Sequence, residues 1–157
     1  MKLTANITLD ELTKSQIAER KGINNNPSPE QIENLKALAV NVLQPIRSHF
    51  DKPLIISSGF RTAQLCTEIG SSINSQHTAH DEAAAADFEI PGVDNKELGT
   101  WIRNNLEVDQ GILEFYKDGE PSSGWIHVSY SRNNNRQQWL RAMREEGKVV
   151  YKPWLGD

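Results

Sequence analysis

The segment that most restricts the fold spans residues 28–46. Ser28 is a good helix N-cap, Pro29 suits the first helical position, where its missing N–H is not needed, and Gln31 completes a capping box. Ile32, Leu35, Leu38, Ala39, Val42, Leu43 and Ile46 then fall on one face at the helical period. An apolar stripe of that length has to be covered by another layer of structure. Pro45, which has no N–H for the helical ladder, is expected to kink the last turn.

Short β-type runs follow the helix. Leu54-Ile55-Ile56-Ser57 comes after Asp51-Lys52-Pro53, and residues 84–90 end in the strand-then-turn signal Phe88-Glu89-Ile90-Pro91-Gly92, despite an alanine-rich start. Residues 112–116 and 125–130 flank the turn Asp118-Gly119-Glu120-Pro121, and Val149-Val150-Tyr151 forms a last short run. Shorter helices are signalled by the Thr8 and Glu11 capping box, by residues 62–69 with Gly70 behind them, and by Asp94-x-x-Glu97 ahead of Leu98, Trp101 and Ile102. Residues 135–146 carry Trp139, Leu140 and Met143 on one side and Gly147 after them, which predicts a C-terminal helix. The expected class is α+β, a small central antiparallel sheet packed with N-terminal and C-terminal helices. With 157 residues, 37% of them hydrophobic, and no repeat or linker, the chain reads as one domain over residues 1–157.

A net charge of −4 argues against a nucleic-acid partner, the arginines near 132–144 being a local exception. The opening MKLTANITLDEL turns acidic before any apolar run of signal-peptide length, and no stretch reaches the roughly 20 apolar residues of a membrane span. The expectation is a chain made in the cytoplasm without signal peptide or membrane insertion. The single cysteine, Cys66, excludes an internal disulfide and a thiolate-rich zinc site, and reads as a small buried hydrophobe.

Of four histidines, His77 and His80 lie in SQHTAHDEAAAADF and His127 in GWIHVSY. Catalytic zinc takes three imidazole or carboxylate ligands and keeps a fourth position open, so two histidines and an aspartate would suffice. In an extended segment Ala85, Asp87 and Glu89 share one face and Ala86 and Phe88 the other. By the same alternation His127 shares a face with Trp125 and Ser129, while Ile126, Val128 and Tyr130 point to the other layer. A strand histidine is more often a hydrogen-bonded structural residue than a ligand, so these features alone do not decide.

The stretch SGFRTAQLCTEIGSSINSQH, then AADFEIPG, DQGILEFY and GWIHVSY, resembles the phage branch of the zinc D-Ala-D-Ala carboxypeptidase and L-Ala-D-Glu endopeptidase family, whose fold is related to the hedgehog signalling domain. The resemblance covers nearly the whole chain and implies a hedgehog/DD-peptidase-like fold with Zn2+ as cofactor. In the family pattern H-x-x-G-x-A-x-D, followed by a later W-x-H strand, Asp87 and His127 take ligand positions. Two alignments remain open for the first ligand. His77 has the matching SQH context on its left but stands ten residues before Asp87, whereas His80 has the family's interval of seven but Ala83 in place of the glycine. The left-hand match needs no gap and favours His77.

Many relatives carry the general base two or three residues before the last histidine, where this chain has Trp125 and Gly124. Glu114, which fits the D-Q-x-I-x-E-F pattern of the phage branch, is the expected base, with Glu82 and Glu89 behind it. Arg61, in SGFR, resembles an arginine placed beside the zinc cleft, where it would bind a stem-peptide carboxylate, stabilise an oxyanion or only hold its loop. Ser75 and Gln76 are expected to bind substrate or orient the histidine, and Trp125 to wall the cleft. The resemblance implies a monomeric peptidoglycan hydrolase acting on the stem peptide, an endolysin released from the host cytoplasm to the cell wall for host lysis. The alternative is a catalytically impaired hedgehog-like adaptor or structural protein of a phage.

Overall fold

The computed structural model describes residues 1–156. Helices α1 (Leu9–Thr13) and α2 (Gln16–Lys21) precede α3 (Pro29–Leu38), a π-helical turn (Ala39–Leu43) and α4 (Gln44–Phe50). Strand β1 (Ile55–Ser58), α5 (Ala63–Ile69), a 3-10 turn (Gln76–Thr78), β2 (Ala83–Glu89) and α6 (Asn95–Asn105) come next. Then follow β3 (Gln110–Glu114), β4 (Trp125–Ser131), β5 (Gln138–Glu145) and β6 (Lys148–Pro153). The architecture is α+β, as expected, around one six-stranded sheet in the order β1-β2-β4-β3-β5-β6.

The capping boxes at Thr8 and Ser28 both form, with Pro29 inside the first turn of α3. Leu35, Leu38, Ala39, Val42, Leu43 and Ile46 are fully buried, and α3 packs on β2 and β4. The disturbance expected at Pro45 falls one turn earlier. Proline offers no N–H to the Asn41 carbonyl, and the ladder is re-spaced ahead of it, where the Gln44 N–H reaches back to the Ala39 carbonyl in a wide π-turn. The alanines of β2 form a strand against their propensity because Ala84 and Ala86 lie in the core beneath α3, where larger side chains would push the helix away. The opposite faces of β2 and β4 are left to line a cleft.

The C-terminal helix does not exist. Residues 138–145 are strand β5, parallel to β3, so the sheet is not wholly antiparallel either. Glu146 and Gly147 both adopt positive φ, forming a two-residue hairpin turn between Glu145 and Lys148, which are paired. Gly147 fits a helix stop and a hairpin equally well. The sheet decides between them, because β3 would otherwise have one edge unpaired and β6 would have no partner. Trp139 packs edge-to-face on Trp154 with centroids 5.7 Å apart and lies over Gly111, where an added Cβ would come within 2.3 Å of the indole ring. Gly111→Ala should therefore destabilise the fold by about 1–3 kcal/mol, read as a drop in the thermal unfolding midpoint. Among the described residues no helix is long and apolar enough to cross a membrane.

Candidate functional site

The antiparallel pairing of β2 and β4 sets Asp87 directly opposite His127, and β3 sets Ile112 on the far side of His127. His127 Nδ1 lies 2.8 Å from Asp87 Oδ1. His77 arrives from the 3-10 turn, whose cap Ser75 accepts a hydrogen bond from the His77 N–H. Its ring Nδ1 is 2.7 Å from the Gly59 carbonyl oxygen, which can only accept, so Nδ1 carries the proton. The bare Nε2 then points at Asp87 Oδ1, 3.4 Å away.

Two lone-pair donors facing each other at that distance repel unless a cation lies between them. The potential ligand atoms of His77, Asp87 and His127 all lie within 4.8 Å of one another. Tetrahedral zinc with bonds of about 2.0–2.2 Å separates its ligands by roughly 3.4 Å, so the His77–Asp87 pair already has the right spacing and His127 would need only a small outward shift from Asp87 to admit an ion. The three side chains are only 6, 13 and 12% exposed. Burial pushes the Asp87 carboxyl up, but its interactions with the two histidines, led by the hydrogen bond from His127, together outweigh it, and its pKa falls far below the usual carboxylate range. This donor set fits a divalent metal, and zinc in particular.

His80 is not part of the group. Its Nδ1 contacts the Thr78 hydroxyl and its Nε2 faces the Asp81 carboxylate at 3.3 Å, on the rim of the cleft. The chain between His77 and Asp87 accommodates its extra residues in a turn with three left-handed residues, Ala79, Asp81 and Glu82. This turn is anchored from α3, where Gln31 donates to the Thr78 carbonyl at 3.1 Å and the buried Asn34 to the Ala79 carbonyl at 2.7 Å. Arg132 in turn donates to Asn34 Oδ1 at 2.8 Å.

Glu114 enters the cleft from β3, paired across the strands with Trp125, the residue two positions before His127. The carboxylate therefore comes from the neighbouring strand at that level of the sheet. Gly124 has to be glycine, because a Cβ there would meet the Glu114 carbonyl oxygen at 1.9 Å, on a backbone with φ of +65°. Burial raises the Glu114 pKa and the Asp87 charge adds to it, with His127, Trp125 and Arg61 pulling the other way. The Trp125 indole N–H faces that carboxylate without reaching strict hydrogen-bond geometry. The two acids held in reserve, Glu82 and Glu89, do not line the cleft.

Arg61 Nε and NH2 donate to Ser58 Oγ at 3.0 and 2.6 Å, and NH2 lies 4.0 Å from Asp87 Oδ2. Its backbone N–H donates to the His77 carbonyl at 2.8 Å. Gln76 donates to Asp109 Oδ2 at 2.6 Å. Arg61, Gln76, His77, Asp87, Glu114 and His127 line one open cleft of about 820 Å³. Asp109, Arg136 and Tyr151 line it as well, though the sequence does not single them out as site residues. Asp109 opens the DQGILEFY stretch, whereas Arg136 lies at the start of the segment expected to be a C-terminal helix, and Tyr151 reaches the cleft through the pairing of β6 with β5. Burial raises the Asp109 pKa, but hydrogen bonds from Arg136 and Gln76 outweigh it and leave it lowered.

A family model described as peptidase M15 matches residues 5–129, a span that holds Arg61, His77, Asp87, Glu114 and His127. No curated protein matches the chain.

Proposed function

The chain belongs to the peptidase M15 family, and from that premise we propose that it is a zinc-dependent hydrolase of the peptidoglycan stem peptide. The observation that carries this reading is the convergence of His77 Nε2, Asp87 Oδ1 and His127 Nδ1 on one point of the cleft that also holds Glu114. The bond is L-Ala-D-Glu or D-Ala-D-Ala, and the biological role is lysis of a phage host from within.

Zinc held by the three residues would supply Lewis acidity, polarising the scissile carbonyl and lowering the pKa of water toward about 7. Glu114 takes the proton of the attacking water and returns it to the leaving amine as the C–O bond forms and the C–N bond breaks. The raised pKa makes the Glu114 carboxylate a better base for the first of these transfers. Arg61, tethered at Ser58 and already beside Asp87, presents its guanidinium to the carbonyl oxygen as it gains charge, or to a carboxylate of the peptide. Trp125 walls the cleft and limits water around Glu114. Ser75 holds the turn that aims His77, so its part is orientation.

Mass spectrometry of purified peptidoglycan digested by the zinc-loaded protein tests the proposal, since the new amino and carboxyl termini identify the bond. Product that still forms after chelation would rule out the metal, and zinc binding without any product would favour the adaptor alternative. Zinc titration separates the two histidines: His77→Ala should lose the ion, and His80→Ala should keep it at near wild-type affinity. The opposite pattern would make His80 the ligand.

A further inference from the structure

We propose that Arg136 forms a second recognition point in the cleft, a subsite for a carboxylate group of the peptide substrate. This inference rests on the cleft being a peptidase site, but Arg136 itself lies beyond the span matched by the family model. Arg136 lies in the connection between β4 and β5, and its side chain lines the cleft wall. Its Nε and NH2 each lie 3.0 Å from an oxygen of Asp109, and its backbone N–H donates to Asp109 Oδ1 at 3.1 Å.

The two partners differ sharply in exposure. The Asp109 side chain is 6% exposed and that of Arg136 is 53% exposed. Asp109 also receives the Gln76 amide at 2.6 Å, so every interaction of this buried carboxylate fastens a piece of the cleft wall. The buried carboxylate thus holds the guanidinium in place while leaving half of it open to the cleft. Of five N–H donors on an arginine head, Asp109 takes two. Those remaining stand toward a cleft whose nearby wall carries the uncharged Gln110, Ser131 and Asn134. The other acids on the cleft are committed elsewhere: Asp87 to the histidines, Glu114 to the proton transfer proposed above, and Asp81 to His80. A planar fork held rigid on one side is preorganised to take a second carboxylate on the other.

The strand register gives the location of the subsite. Asp109 stands three residues before Ile112, which pairs with His127. At about 3.3 Å per residue Asp109, to which the guanidinium is bound, lies roughly 10 Å along the sheet from the level of His127. An extended peptide covers that distance in about three residues, so the carboxylate it meets is two or three residues away from the scissile bond. It is carried on a side chain or is the peptide's own C-terminus.

The test uses zinc-loaded protein in the Glu114→Gln background, to prevent turnover, and matched peptides that carry either a carboxylate or a carboxamide at that distance. One pair varies the side chain and the other the C-terminus. Isothermal titration should show the carboxylate form of one pair bound about tenfold more tightly, the effect of a charge-assisted contact at a half-open site. Arg136→Gln should erase that preference, and Arg136→Lys should restore only part of it, because an ammonium lacks the fork. In turnover assays with Glu114 intact the preference should sit in KM and leave kcat unchanged. A merely structural role would weaken carboxylate and carboxamide alike. Equal affinity of the Arg136 protein for both members of both pairs overturns the subsite alone, without needing any further variant to fold. Failure of every peptide to bind overturns the subsite and the peptidase reading together.

Discussion

Asp87→Ala is expected to abolish stoichiometric zinc binding, and all hydrolysis with it, while the fold stays intact. Asp87 is the hub of the site: both histidines approach the same oxygen, Oδ1, and Arg61 lies near the other. Its pKa, held far below the usual range, keeps it anionic at any working pH. Without it the two imidazoles have no anionic partner, and the Arg61 guanidinium beside them opposes a cation with nothing to offset its charge. Loss of a mere orienting partner costs about 10–100-fold in metal affinity, and loss of the single anionic ligand should exceed that. Alanine is already the residue at four neighbouring positions of β2, so the strand should tolerate it. Metal analysis after dialysis, with circular dichroism as the control for folding, provides the check. A variant that retains one zinc per chain would remove Asp87 from the ligand set.

Glu114→Gln should separate chemistry from binding. The amide has the shape of the carboxylate and keeps an oxygen toward the Trp125 indole, but it cannot accept and return a proton. A general base contributes about 10²–10⁴ in rate, and the loss should appear in kcat, with zinc stoichiometry and KM close to wild type. Steady-state kinetics on a defined stem peptide, paired with a zinc titration, makes the comparison. Wild-type kcat in this variant would take the base role from Glu114. A parallel fall in zinc affinity would mean that the carboxylate supports the metal instead.

Much of the molecule was legible because the signals were local. The caps of α3 and its apolar stripe lie within one segment, and the alternation that placed Asp87 and His127 on an open face needs only the period of a strand. Their direct opposition also follows from antiparallel pairing. What escaped was decided across the fold. The spacing of Trp139, Leu140 and Met143 suits a helix, and only the hole over Gly111 and the free edge of β3 make that segment a strand. Arg136 and Tyr151 were missed along with it: the place of Arg136 on the cleft depends on its pairing with the distant Asp109, and that of Tyr151 on the β5–β6 hairpin. Two histidines three residues apart could not be ranked by spacing. The Gly59 carbonyl and the hold of α3 on the turn bring His77 to Asp87, and all of those partners are distant in sequence.

That anchored turn bears on how such sites change over time. Because Gln31 and Asn34 grip its backbone, the position of His77 is set by a helix and not by the length of chain leading to Asp87. Chain length beyond Ala79 then need not decide where the His77 ring stands. A search for ligands at a fixed interval counts residues along a string, whereas an ion would register only where the string is pinned, and this chain pins it three residues early.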